Sequence, residues 1–190
     1  MGKTVVITGS SRGIGRALAE HYEKAGWKVI ATARNASIAA FANSLADTPV
    51  NLLINNAGIF EKGEHTTALV DQFVTNAVGG STPGNPAVVA NISSGMGSIG
   101  DNTSGGYYGY RASKSALNSF MKTLSLEWKP ENISVLLFCP GWVQTDMGGA
   151  GAAITTTQSV TGLSGLIDKA FGDLGMTGSY LRYNGDKIEW

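Results

Sequence analysis

The sequence predicts an α/β fold, a doubly wound parallel sheet in three layers, and three observations predict it. Short apolar runs rich in β-branched residues recur along the chain. Stretches of helical periodicity separate most of these runs, which is the alternation of a parallel sheet with crossover helices. A glycine-rich junction ties the first run to the first helix.

The first run, Thr4-Val5-Val6-Ile7, is continuous and β-branched, as expected of a strand covered on both faces. Thr8-Gly9-Ser10-Ser11-Arg12-Gly13-Ile14-Gly15 then leads into a helix in which Ala17, Leu18 and Tyr22 recur at helical spacing, and Gly26 stands where a C-terminal cap would. Missing Cβ atoms in such a turn let the backbone approach a phosphate closely, while the first N–H groups and the dipole of the helix favour the anion. An ordinary glycine turn is the plainer reading of the same residues. Runs at 28–32, 51–55, 87–92, 133–138 and 179–183 supply further strands. Residues 37–46 have room for one helix and 65–78 read as another. The clearest helix spans 110–129, where Ala116, Leu117, Phe120, Met121 and Leu124 repeat at helical spacing and Pro130 closes the segment. Segments 79–86 and 95–109, rich in Gly, Ser, Pro and Asn, read as loops, and 148–157 reads as a mobile stretch.

A chain of 190 residues can bury one substantial core, so a single domain over 1–190 is expected. Hydrophobic residues at 43% against 15% charged fit a compact protein with much buried sheet and argue against disorder. The formal charge is zero and no basic run is interleaved with aromatics, which argues against nucleic acid or an anionic membrane surface as partner. No apolar run reaches the length of a membrane span. The single cysteine, Cys139, cannot form an intrachain disulfide, which fits a reducing, cytoplasmic compartment, and between Phe138 and Pro140 it reads as a small buried hydrophobe rather than a catalytic thiol. His21 and His65 have no metal-ligand spacing with each other or with Cys139, so no metal site is expected.

Tyr110 and Lys114 lie four positions apart at the start of the long helix, on one face and about one turn from each other. A cation beside a phenol stabilises the phenolate and lowers its pKa from the ordinary ~10, so that the tyrosine can exchange a proton with a substrate oxygen. A surface lysine beside a half-buried tyrosine is the plainer alternative for an isolated pair.

Taken in order, the glycine turn, Asn55-Asn56-Ala57-Gly58, Ile92-Ser93-Ser94-Gly95, Tyr110-Arg111-Ala112-Ser113-Lys114 and Pro140-Gly141-Trp142-Val143-Gln144-Thr145 resemble the short-chain dehydrogenase/reductase family. The block from Tyr110 to Asn118 and the tail with Tyr183-Asn184-Gly185 and Trp190 resemble its small carbonyl-reductase-like members, related to the C-factor and sniffer proteins. The resemblance implies a Rossmann-like fold and hydride transfer between NADP(H) and a carbonyl or secondary alcohol. It places Gly9, Ser11, Arg12, Gly13, Ile14 and Gly15 around the cofactor phosphates and adenosine ribose, and Asn55, Ala57 and Gly58 along the cofactor's trough. It makes Ser94 the hydrogen-bonding partner of the substrate oxygen, with Ser93 as the near alternative, and Tyr110 the acid in the reducing direction. Lys114 would bind the nicotinamide ribose and tune Tyr110, and Asn76 would help hold the lysine and a water. Pro140, Gly141, Val143 and Thr145 would flank the carboxamide end. Ala33 and Arg34 stand where an acidic residue would select the unphosphorylated ribose, so Arg34 with Arg12 favours NADP(H).

The chain also departs from the family. Between Arg34 and Asn51 the family carries a helix, a third strand and another helix, whereas only 35–50 remain here. Strand 28–32 would then be an exposed sheet edge and the adenine pocket would lose a wall, which weakens cofactor binding. Gly79-Gly80-Ser81-Thr82-Pro83-Gly84 breaks the helix after Asn76 almost at once, so a dimer built on that helix is disfavoured and a monomer or weak homo-oligomer is expected. The reduced scaffold keeps a second reading open, a dinucleotide-binding module or signalling protein with little turnover. Phe60, Trp142, Met147 and Trp190 suggest an apolar substrate pocket.

Overall fold

The computed structural model describes residues 2–32, 45, 48–56 and 86–190. Among them, β1 (Thr4–Ile7), β2 (Lys28–Ala31), β3 (Leu52–Asn55), β4 (Ala87–Ile92), β5 (Ile133–Cys139) and β6 (Tyr180–Arg182) form one sheet in the order β2-β1-β3-β4-β5-β6. Every pairing is parallel. Three helices flank it: α1 (Gly13–Lys24), α2 (Tyr108–Glu127) and α3 (Thr156–Ala170). The expected doubly wound sheet is therefore present, and β2 lies on its edge among the described residues. The helices expected at 37–46 and 65–78, and the loop expected at 79–86 apart from Pro86, lie outside the described residues.

Strict alternation along the strands divides the core between the two faces. Val5, Ile7, Leu52, Ile54, Val88, Ala90, Leu136 and Phe138 pack with Leu18 and Tyr22 of α1 and with Leu163 and Ile167 of α3. Their neighbours Val6, Leu53, Val89, Val135 and Leu137 face the other way, onto Met121 and Leu124 of α2. Layers of helix, sheet and helix follow directly from that period-two pattern.

Two expectations are corrected. Helix α2 begins at Tyr108 rather than 110, because Tyr107 takes a left-handed conformation (φ 53°) and turns the chain into the helix. The stretch at 148–157 is held in place rather than mobile. Gln144 N donates to the Ile154 carbonyl and Ile154 N to the Trp142 carbonyl, while Gln144 Nε2 donates to the Ala152 carbonyl. Thr155 and Gln158 close the start of α3 with a reciprocal capping box.

Tyr22 is 1% exposed and stacks edge-on against Trp27, yet its hydroxyl has no hydrogen-bond partner among the described residues. A buried, unsatisfied hydroxyl costs free energy that an isosteric apolar ring does not. Tyr22→Phe is expected to raise stability by about 1 kcal/mol, read as a higher midpoint in urea unfolding at an unchanged slope.

Candidate active site

All of the described site residues expected from sequence sit at, or just beyond, the carboxyl ends of the parallel strands. Chain order reverses between β1 and β3, which is the switch point where open α/β sheets form their ligand crevice. The β1–α1 turn lies there. Gly9 and Gly13 have φ of 66° and 56°, and Gly15 sits so close to the turn that an added Cβ would lie 2.3 Å from Asn56 Nδ2 and 2.4 Å from the Gly9 carbonyl oxygen. Arg12 makes no side-chain cap and the first turn of α1 carries no acidic residue, so the helix N-terminus presents its N–H groups and dipole without a competing carboxylate on that turn. A cradle of this form fits a pyrophosphate.

Asn56 was not among the expected site residues, and it fixes the turn. Its Nδ2 donates to the carbonyls of Thr8 and Gly9 at 3.1 and 3.0 Å. Asn55, one residue earlier, points into the sheet instead and donates to Asn91 Oδ1 at 2.8 Å, and Asn91 in turn donates to the Leu136 carbonyl. The amide pair ties the ends of β3, β4 and β5 together. The Asn55-Asn56 doublet carried the signal for both roles, but their division depends on strand alternation at the last residue of β3.

Beyond β4, the adjacent serines separate. Ser93 is 3% exposed and donates to Asn118 Oδ1 at 2.5 Å, whereas the Ser94 side chain accepts from Met96 N and lies close enough to Tyr110 to pull down the pKa of its phenol. Lys114 lies with its Nζ 5.9 Å from the centre of the Tyr110 ring and donates to the Ile92 carbonyl at 3.1 Å. Ser94, Tyr110 and Lys114 thus form one cluster at the mouth of β4.

Spacing alone suggested a phenol of lowered pKa, but the direction is the opposite. Burial raises Tyr110 above its ordinary value, the Ser94 hydrogen bond pulls it down, and the neighbouring Cys139 thiol pushes it up. Burial lowers Lys114, opposed by Cys139. The ammonium sits beside the ring and donates to a backbone carbonyl, and desolvation by burial is the largest influence on the phenol. Tyr110 is a phenol that keeps its proton at neutral pH.

The segment after β5 reaches across to the glycine turn. The Pro140 carbonyl accepts from Ser159 at 2.7 Å, Val143 is buried and bridges to Ile154, and Thr145 Oγ1 donates to the Val143 carbonyl and accepts from Gly148 N. Gly141 has φ of 85° against the Tyr183 ring. The Thr145 methyl lies beside Gly13, and Arg12 pairs with Asp146 at 2.7 Å. Of the aromatic and Met candidates for a substrate pocket, Trp142 and Met147 are exposed near this segment, and Trp190 stacks on Tyr180. Ala33, Arg34, Ala57, Gly58, Phe60 and Asn76 lie outside the described residues.

A parallel sheet with a glycine cradle at its switch point and a Ser–Tyr–Lys cluster two strands across from it defines a Rossmann-like dinucleotide fold. The profile of the short chain dehydrogenases matches residues 3–49 and 38–156, and the chain belongs to that family. It is 37% identical over 166 residues to the C-signal protein of Myxococcus xanthus, covering 80% of this chain and 99% of that one. Its fold is similar to NADPH-bound carbonyl reductase from chicken fatty liver, with a TM-score of 0.84, 27% identity and coverage of 100% and 99% of the two chains. It is also similar to the carbonyl reductase Sniffer of D. melanogaster, with a TM-score of 0.76, 27% identity and full coverage of both chains. Among the described residues, no helix is long and apolar enough to cross a membrane.

Proposed function

We propose that this chain is an NADP(H)-dependent oxidoreductase acting on a carbonyl or secondary alcohol substrate. The observation that carries the reading is the clustering of Ser94, Tyr110 and Lys114 beyond β4, with β3 alone between them and the uncapped phosphate cradle after β1. In the reducing direction the carbonyl carbon receives the hydride that NADPH supplies, and the oxygen receives the Tyr110 proton. Ser94 steadies the charge growing on that oxygen, acting where charge develops rather than on the ground state. A phenol held protonated by burial suits a proton donor. With the cofactor bound, Lys114 would hold the nicotinamide ribose and the turn after β5, from Pro140 to Thr145, would hold the carboxamide. The NADP(H) neighbours and the guanidinium of Arg12 beside the cradle support the phosphorylated cofactor.

The position of β2 at the sheet edge among the described residues is compatible with a second reading, a dinucleotide-binding module with little turnover. Mixing the protein with NADPH and a panel of aldehydes, diketones and quinones separates the two. Substrate-dependent loss of NADPH absorbance supports the enzyme, and fluorescence change on NADPH binding without oxidation supports the module.

The Arg12–Asp146 pair yields a further expectation. Both side chains are exposed, so the pair is weak and screened, but an anionic ribose phosphate competes with Asp146 for the same guanidinium. Asp146→Asn is expected to tighten NADPH binding about two- to fivefold, with less effect on NADH and a smaller difference at high salt. Fluorescence titration of both nucleotides at two ionic strengths checks it.

A further inference from the structure

Directly behind Ser94 lies a buried polar network that the proposed reaction does not use. Tyr180, on β6 and 2% exposed, donates its hydroxyl to the Ser94 carbonyl. Ser93 donates to Asn118 Oδ1, and Asn118 Nδ2 donates to the Gly97 carbonyl at 3.3 Å, which Ser115 of α2 also reaches at 2.8 Å. The contact at Gly97 is tight: a Cβ there would lie 2.8 Å from Lys114 Cβ and 2.9 Å from Asn118 Nδ2. The 3-10 turn Gly95–Gly97 is therefore fastened to α2 on one side and to β6 on the other.

We propose that Tyr180 is a positioning residue, holding the Ser94 backbone so that the Ser94 hydroxyl meets Tyr110. The inference rests on the reading of Ser94 and Tyr110 given above. Its physical basis is the geometry of a single residue: Tyr180 grips the carbonyl of Ser94, and the side chain of that same residue neighbours the Tyr110 phenol. Fixing the carbonyl fixes the plane of the Ser94–Gly95 peptide. A fully satisfied buried network specifies one arrangement, and removing a single hydroxyl from it frees the groups that remain. Ser93 and Asn118 hold the far end of the same turn, through the Gly97 carbonyl, which gives the inward-facing serine of the doublet a purpose.

Tyr180→Phe keeps the ring, its stacking on Trp190 and its burial, and deletes only the grip. It is expected to lower kcat for carbonyl reduction roughly tenfold to a hundredfold, since a displacement of about 1 Å at a reacting group can cost that much, with NADPH affinity unchanged. In a Ser94→Ala background the same substitution is expected to cost nothing further, because the group it positions is already gone. A readout independent of turnover is the titration of Tyr110 by NMR on isotope-labelled tyrosine, with the signal assigned through Tyr110→Phe. Displacement of Ser94, which holds the Tyr110 phenol down, moves that titration to higher pH in Tyr180→Phe. Ser93→Ala, which loosens the network from its other end without touching β6, is expected to shift it in the same direction. An unmoved Tyr110 titration in both variants, or an equal loss of kcat with and without Ser94, overturns the proposal. If the wild-type protein fails to oxidise NADPH while the Tyr110 titration still moves, the reductase reading falls and the positioning role stands.

Discussion

Tyr110→Phe is expected to lower NADPH-dependent carbonyl reduction by roughly a hundredfold to ten-thousandfold, the range for loss of a positioned general acid. NADPH affinity should stay near wild type, since the ring and its contact with the Lys114 ammonium persist. The pH dependence follows from the directions of the two shifts. Tyr110 is raised, so it is protonated throughout the neutral range, and reduction should be flat there, falling only on the alkaline side. Lys114 is lowered by burial, so its deprotonation also contributes to the decline on the alkaline side. Steady-state rates across the alkaline range for both proteins test this. A residual rate in Tyr110→Phe equal to wild type would remove the tyrosine from the chemistry.

Gly15→Ala is expected to have the largest effect on stability and to abolish nucleotide binding with it. Two of the atoms an added Cβ would strike belong to the turn itself or to the side chain that holds it, the Gly9 carbonyl at 2.4 Å and Asn56 Nδ2 at 2.3 Å. A backbone oxygen has no rotamer by which to withdraw, so the turn must open and Asn56 must release the Thr8 and Gly9 carbonyls. Overpacking of this kind costs about 1–3 kcal/mol, and the freed carbonyls add to it. Gly165→Ala provides the contrast, being the same substitution within α3 with nothing within 4 Å. It is expected to stabilise by about 0.5–1 kcal/mol through helix propensity. Urea midpoints for both, with NADPH titrations, check the pair. A Gly15→Ala protein as stable as wild type would show the turn to be pliable.

Strands β1 and β4 were legible to the residue, because continuous β-branched runs bounded by polar turns leave little freedom in where a buried strand stops. Helix α2 was legible through its apolar spacing, but its first residues depend on the left-handed Tyr107, which no periodicity records. Helix α3 is signalled by the capping box of Thr155 and Gln158, but the Gly, Ala and Thr residues before it have the composition of a mobile segment and mask its start. In the site, the motifs located the cluster and separation from solvent decided its chemistry. Residue spacing puts Lys114 near Tyr110, but only burial determines that desolvation outweighs the cation. The parting of Ser93 from Ser94, and of Asn55 from Asn56, turns on which face each adjacent residue presents. Contacts such as Arg12 to Asp146, 134 positions apart, are invisible without coordinates.

That long bridge has a bearing on the order in which the molecule matures. A chain emerging from its amino end completes the glycine turn early, but the loop that packs against it, with Thr145 and Asp146, arrives only after β5 has joined the sheet. Non-local parallel pairing is slow, so the early half waits for the late half. Because the two halves meet at the cradle, a dinucleotide captured there acts as a clasp on the finished tertiary structure, adding about 2.7 kcal/mol at a hundredfold excess over its Kd. Nucleotide supply would then govern how long the protein survives as well as how fast it turns over.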